Sequence, residues 1–145
     1  MGATYEKASV SSELAHRMIE AAEAKAKEMG HPFVIAVVDE SGVLKAFSRM
    51  DGAPLLSVQV AQDKAYTAAG FSMPTHAWYD FIKNDAPLAA GAPTGIDRLV
   101  VFGGGYPIQV DGQIVGGVGV SGGHYSDDMR VAEAALAVVG GDPAS

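Results

Sequence analysis

The fold is decided by the stretch Gln113-Ile114-Val115-Gly116-Gly117-Val118-Gly119-Val120. Its apolar, β-branched residues are typical of a strand, and glycines inside a strand let another backbone or a flat ligand approach closely. The preceding pair Asp111-Gly112 is a strong signal for a two-residue hairpin turn. We therefore predict a strand over 113–120, thinned by its glycines and paired with a strand over 106–110.

Three more strands are predicted upstream of this hairpin. The run 33–38 is apolar and β-branched, and the turn 39–42 leads into its partner strand over 43–50. The shorter apolar run over 99–102 predicts the remaining strand. Successive parallel strands need helical crossovers, which are mostly absent between these runs, so the sheet is predicted to be antiparallel.

Helices are predicted around this sheet from their caps and apolar spacing. The first begins at Ser11 or Ser12 and ends at Gly30. The others are predicted over 55–69, through 76–82, and over 127–139 between a Ser126 cap and Gly140-Gly141. Residues 84–97, rich in glycine and proline, are predicted as a long loop of the kind that is often functional. The order of elements predicts one α+β domain over residues 1–145.

Composition excludes several classes of function. The net charge is −7 and the pI is about 4.9, so a nucleic acid or an anionic membrane surface would be repelled. The absence of cysteine excludes disulfides, thiolate zinc sites and a cysteine nucleophile. No apolar run has the length of a signal-peptide core or a membrane span, so a cytoplasmic location is expected. Because only 19% of the residues are charged, subunit contact is expected to hide apolar surface in a homo-oligomer.

Two glycine motifs match known signatures but lack their context. Residues 117–122 match the dinucleotide pattern G-x-G-x-x-G, yet these glycines lie within a strand and no second βαβ unit follows. Residues 119–123 match the nucleophile elbow G-x-S-x-G around Ser121. The order of a hydrolase triad fails, because the one histidine after Ser121 is His124. Close backbone approach explains both motifs better than nucleotide binding or serine hydrolysis.

Four features remain as candidates for chemistry. The turn Gly103-Gly104-Gly105 offers amides that could receive an anion, or is a purely conformational turn. Lys64 lies on the second helix, either solvated or facing the sheet, where it could pair with Asp39 or an acidic ligand. Asp127 and Asp128 are expected to stabilise the start of the last helix. The histidines lack zinc spacing, although a lone imidazole can ligate haem iron: His16, His31, His76 and His124.

A combination of motifs over roughly residues 9–140 resembles the GlcG/HbpS-like haem-binding family, which includes the carboxy-terminal domain of PduO proteins. The motifs are Val37-Val38-Asp39-Glu40-Ser41-Gly42, Arg49-Met50-Asp51-Gly52-Ala53, Asp63-Lys64-Ala65-Tyr66-Thr67-Ala68, Gly103-Gly104-Gly105-Tyr106-Pro107-Ile108 and the segment 110–122. The resemblance implies a five-stranded antiparallel sheet flanked by helices, in a profilin-like or PAS-like three-layer arrangement. It also implies assembly into dimers, tetramers or octamers, and a place beside catabolic genes in some members.

The resemblance leads to a first hypothesis, a module that binds haem or a related tetrapyrrole. A histidine on the first helix supplies an axial ligand in haem-binding members, and the matching position is His16. Met18 and Phe71 would contact the ring, while Lys64 or Arg49 would offset the propionate charges. The ligand-binding residues expected on this hypothesis are Arg49, Thr67, Phe71, Gly103, Gly104, Gly105 and Ser121.

A second hypothesis is a catabolic isomerase, lyase or hydrolase that uses the same pocket. Lys64 and Asp39 would be its acid/base groups, and the amides of Gly104 and Gly105 would stabilise an oxyanion. Ser121 and His76 would orient the substrate. A structural or sensor subunit is the third alternative. The two ligand-based hypotheses need a cavity between the second helix and the glycine-thinned sheet, or between subunits.

Overall fold

A computed structural model of the protein describes residues 2–140. In chain order the elements are α1 (Ser12–Met29), β1 (Val34–Asp39), β2 (Leu44–Arg49), α2 (Leu55–Phe71), α3 (Thr75–Ile82), α4 (Ala86–Gly95), β3 (Gly105–Val110), β4 (Gln113–Ser121) and α5 (Tyr125–Gly140). The sheet order is β2-β1-β4-β3, and every neighbouring pair is antiparallel. The predicted α+β class and antiparallel sheet are confirmed.

The prediction of five strands is wrong, because residues 2–140 contain four. The segment 99–102 lies instead beside α2, where a side chain replaces a strand as its hydrogen-bond partner. Thr67 Oγ1 accepts from the Val100 amide at 3.1 Å and donates to the Arg98 carbonyl at 2.9 Å. The Val100 amide in the middle of this β-branched apolar run is therefore satisfied by a helix side chain and not by a neighbouring strand.

The prediction of a long loop over 84–97 is also wrong, because most of it forms α4. Asp85 caps this helix by accepting a hydrogen bond from the Leu88 amide, and Pro87 lies in the first turn, where its missing amide costs nothing. The last helix starts at Tyr125, one residue before the predicted cap Ser126. Gly141, predicted at its end, lies outside the described residues.

One face of the sheet packs against α1 and α5. Ile35 and Val37 of β1 and Phe33 just before it point into this layer, and Val118 and Val120 join them from β4. The helices contribute an alternation of small and large side chains: Leu14, Ala15, Met18, Ile19, Ala22, Ala26, Val131, Ala132, Ala135 and Val139. Ser11 caps α1 through its side chain and Gly30 ends it in the left-handed conformation, as predicted.

The opposite face of the sheet is covered by α2 at very short range. A Cβ added to Gly119 would lie 2.0 Å from the Ala61 carbonyl oxygen, and one added to Gly117 would lie 2.3 Å from that of Ala65. The helix backbone therefore occupies the space that the glycines vacate. The expected cavity between α2 and the sheet is absent from the described structure.

The small side of α2 is the buried one. Ala61 and Ala65 face the sheet, whereas Leu55 and Leu56 are 79% and 81% exposed. An apolar pattern alone would place leucines inside, but only small residues allow helix and strand backbones to meet this closely. None of the helices described within residues 2–140 is long and apolar enough to span a membrane.

Candidate functional site

The predicted lysine forms a buried ion pair from the middle of α2. Lys64 Nζ donates to Asp128 Oδ2 and to the Val120 carbonyl, both at 2.9 Å, and its side chain is fully buried. The second Asp128 oxygen accepts from the Gly123 amide at 3.1 Å. The pair thus ties α2 to the start of α5 across the end of β4.

The expected pairing of Lys64 with Asp39 is wrong. Asp39 Oδ1 accepts from the amides of Ser41 and Val43 at 2.8 and 3.0 Å, so this carboxylate stabilises the turn between β1 and β2. For Asp128, its place in the sequence predicted only a favourable charge at the start of a helix. Its long-range partner was missed because nothing local in the sequence marks it.

Burial dominates the electrostatics of the ion pair. It lowers the pKa of Lys64 against the opposing attraction of Asp128, and it raises the pKa of Asp128 against the attraction of Lys64. Each group needs the other in order to stay charged inside the protein. Lys64 has no exposed surface and is placed to hold the structure together. The acid/base role of Lys64 and Asp39 stays a prediction, and in the structure the two side chains bind different partners.

The glycine turn before β3 encloses the lysine. Gly104 has φ +125°, and a Cβ there would lie 2.7 Å from Lys64 Nζ and from the Val120 oxygen. The Gly105 amide donates to Thr75 Oγ1 at 2.9 Å, so it is not free to stabilise an oxyanion as expected. Gly103 lies against the side chains of Met129 and His76. The turn is needed for close packing in the described structure.

His16 lies on the outer face of α1 and is exposed. Its Nδ1 lies 2.6 Å from the Ser12 carbonyl oxygen. Because a carbonyl oxygen only accepts, Nδ1 carries the proton in the neutral ring and Nε2 keeps its lone pair. This is the arrangement that a histidine ligand of a metal requires.

The two side chains expected beside a haem ring at His16 are placed elsewhere. Met18 is fully buried in the core on the opposite side of α1, so the expectation for this residue is wrong. Phe71 lies at the end of α2, with its ring 5.1 Å from that of Trp78 and 6.0 Å from that of Phe81. Within one copy of the chain, neither covers a ring held by His16.

The other histidines have partners of their own. His31 Nε2 donates to the Gly122 carbonyl at 2.7 Å, the His76 ring contacts that of Tyr106, and His124 Nδ1 accepts from the Ser126 amide at 3.2 Å. No group of three or more histidine, aspartate or glutamate side chains within residues 2–140 could hold a metal ion.

Of the remaining predicted ligand-binding residues, Thr67 and Phe71 come together, whereas Arg49 and Ser121 lie apart from them. Arg49 is exposed at the end of β2, whereas Ser121 is buried and its hydroxyl donates to Ser57 Oγ at 3.1 Å. The Thr67 hydroxyl is hydrogen-bonded to the backbone of the 98–100 segment. Thr67 and Phe71 also border a surface cleft that was not predicted from the sequence. The single tryptophan at 78 and its aromatic neighbour at 81 were the sequence signals for it.

We call this surface cleft the aromatic cleft. It has a volume of about 330 Å³ and mostly apolar walls. It is lined by Glu40, Ser41, Gly42, Tyr66, Thr67, Gly70, Phe71, Trp78, Ile96, Asp97 and Leu99. Two other surface pockets are present among the described residues. One, of about 430 Å³, lies beside His31 and His124, and the other, of about 390 Å³, lies beside His76 and Phe102.

Comparison with known proteins places these features in context. Residues 10–137 match the family described as haem degrading protein HbpS-like. A 15.0 kDa protein from the dhaT–dhaS intergenic region of Citrobacter freundii is 40% identical, over 89% of this chain and 91% of its own length.

Two solved structures share the fold over nearly the whole chain. Klebsiella pneumoniae ORFY is 31% identical with a TM-score of 0.90, over 97% of both chains. The PduOC:haem complex is 33% identical with a TM-score of 0.82, over 90% of this chain and 94% of its own. The fold similarity therefore extends to a protein that was solved with haem.

Proposed function

This chain belongs to the HbpS-like family, and from that premise we propose that it is a haem-binding domain whose iron ligand is His16 Nε2. The observation that carries the proposal is the hydrogen bond from His16 Nδ1 to the Ser12 carbonyl oxygen. It fixes the tautomer and orients an exposed imidazole without using the nitrogen that would bind iron. A relative of the same fold that was solved with haem supports haem as the bound group.

The surroundings of His16 indicate that one copy of the chain holds only part of the haem. The neighbouring α1 residues Ser12, Glu13 and Glu20 are exposed and polar. A porphyrin needs apolar contact over its faces, and the acidic chain offers little of it here. We therefore place the second face of the haem against another copy of the chain. When bound, the haem would supply a redox-active iron.

Hemin titration tests the proposed ligand. We expect the wild-type protein to give a sharp Soret shift that saturates at one hemin per chain. His16→Ala should lose this shift, because His31 and His124 use ring nitrogens in internal hydrogen bonds and the His76 ring packs against Tyr106. The matched control is His124→Ala, which removes an exposed histidine near the last helix and should titrate like wild type. An unchanged shift in His16→Ala, or no shift in wild type, would refute the proposal.

A homo-oligomer is part of the same proposal. Leu55 and Leu56 are about four-fifths exposed at the start of α2, and Val43 is 61% exposed on the turn before β2. Adjacent apolar side chains this exposed favour subunit contact. We expect sedimentation equilibrium to show a dimer or larger assembly, and Leu55→Glu with Leu56→Glu to weaken it at least ten-fold. A monomer at micromolar concentrations would rule the assembly out.

A further inference from the structure

Trp78 borders the aromatic cleft with an unsatisfied donor. Its side chain is 4% exposed, and its indole Nε1–H has no hydrogen-bond acceptor among residues 2–140. A buried donor without an acceptor is rare in folded proteins and destabilising. An oxygen atom supplied by a bound molecule would satisfy it.

The walls of the aromatic cleft are apolar and partly fixed in position. The Tyr66 ring packs against Gly42, where a Cβ would come within 2.7 Å of it, and the Arg98 guanidinium lies over the ring, 4.0 Å from its centroid. Arg98 is itself held by Asp63 at 2.8 Å. Phe71 closes the opposite side against Trp78 and is 56% exposed. A volume of about 330 Å³ suits a small molecule.

The charges at the edge of the cleft select against anions. Glu40 and Asp97 both line it. Hydrogen bonds from Ser41, Ser9 and Lys7 lower the pKa of Glu40 to about 2, so this carboxylate is ionised at neutral pH. Lys7 offsets its charge at 3.0 Å, but Asp97 has no ion-pair partner in the described chain. A carboxylate ligand would meet repulsion at this edge.

We propose that the aromatic cleft binds a small uncharged aromatic molecule whose hydroxyl or carbonyl oxygen accepts the hydrogen bond of Trp78 Nε1. In the complex the ring lies between Tyr66 and Phe71, and the exposed Phe71 side chain turns to uncover the indole nitrogen. His16 does not line the cleft, so this site is separate from the proposed haem ligand.

Three probe molecules test the three features that we propose for the ligand: an aromatic ring, an oxygen acceptor and the absence of a negative charge. The probes are benzyl alcohol, toluene and benzoate. The chain has one tryptophan, so its fluorescence reports directly on the cleft. We expect benzyl alcohol to change the emission saturably. Toluene, which lacks the oxygen, should bind about five-fold more weakly, as expected for the loss of one net hydrogen bond. Benzoate should bind at least ten-fold more weakly than benzyl alcohol at pH 7.

Three variants assign the binding to the cleft. Gly70 lines it, and a Cβ there meets nothing within 4 Å, so Gly70→Leu should fill the cleft and abolish benzyl alcohol binding. Gly91→Leu is the matched control, because Gly91 is also helical with open space around it but lies outside the cleft. By calorimetry, Trp78→Phe should bind benzyl alcohol and toluene equally.

The proposal is overturned by any of three results: no saturable binding of benzyl alcohol, binding that survives Gly70→Leu, or a preference for benzyl alcohol that persists in Trp78→Phe. His16→Ala should leave benzyl alcohol binding unchanged. A failure of the haem proposal is therefore distinguishable from a failure of this one.

Discussion

Asp128→Asn is expected to lower the free energy of unfolding by about 3–5 kcal/mol, one of the largest effects of any single substitution in the chain. The substitution leaves the Lys64 ammonium fully buried, with the Val120 carbonyl and the face of the Phe102 ring as its remaining contacts. Removing one member of a buried pair leaves a charge that neither water nor a counter-ion compensates. Urea unfolding at pH 7, followed by circular dichroism, measures the loss.

The pH dependence of the variant identifies charge as the cause. Burial lowers the pKa of Lys64 below its ordinary value of 10.5, so the unfolded chain binds a proton that the folded one releases. The unfolding free energy of Asp128→Asn should therefore rise with pH between the lowered pKa of Lys64 and about 10.5. A loss that is constant over this range would contradict the assignment.

Two further variants complete the test of the ion pair. Lys64→Met combined with Asp128→Leu should recover most of the stability, because apolar side chains of similar size replace both charges. Asp80→Asn is the matched control, since Asp80 pairs with Lys83 on the exposed face of α3. Its effect should stay within about 0.5 kcal/mol. A loss below about 1 kcal/mol in Asp128→Asn would show that the pair is not needed for stability.

Gly119→Ala is expected to destabilise the protein by about 3 kcal/mol or more, or to prevent folding. The added methyl would lie 2.0 Å from the Ala61 carbonyl oxygen and 2.6 Å from the Ala65 nitrogen. Both are backbone atoms of α2, so no side chain can turn away to make room. The helix has to move off the sheet, and its contacts with β1 are lost as well. Thermal and urea unfolding measure the effect.

Gly70→Ala provides the control for the glycine substitution. Gly70 is helical and a Cβ there meets nothing within 4 Å, so alanine should stabilise the protein by about 0.4–1 kcal/mol. The two glycines lie on the two elements in contact, and the expected effects have opposite signs. If Gly119→Ala folded with wild-type stability, the close approach of α2 to β4 would be wrong.

Local signals in the sequence were enough to predict most of the elements. The caps at Ser11 and Gly30 mark α1, and the Asp111-Gly112 turn with its flanking apolar runs marks β3 and β4. Family membership was predictable too, because it rests on several short motifs in a fixed order. These features depend on neighbouring residues, which a single sequence displays.

Tertiary contacts account for what the sequence did not reveal. Lys64 was expected to pair with Asp39 or with an acidic ligand, and its actual partner, Asp128, lies 64 residues away. The 99–102 run has strand-like residues, but Thr67 of α2 accepts the hydrogen bond of its Val100 amide. Glycines in β4 were expected to leave a cavity, whereas the α2 backbone fills that space. In each case the deciding group comes from an element that is distant in the chain.

The sheet order has a consequence for the protein during its synthesis. The two central strands, β1 and β4, pair Val34 with Ser121, so the earliest strand made must wait for the latest one. Until then, a nascent chain on the ribosome presents the apolar edge of β1 without its partner. Such long-range pairing slows folding and exposes an edge to aggregation. Translation must therefore pass the end of β4 before this domain can close, and chaperones can act on the open chain in that interval.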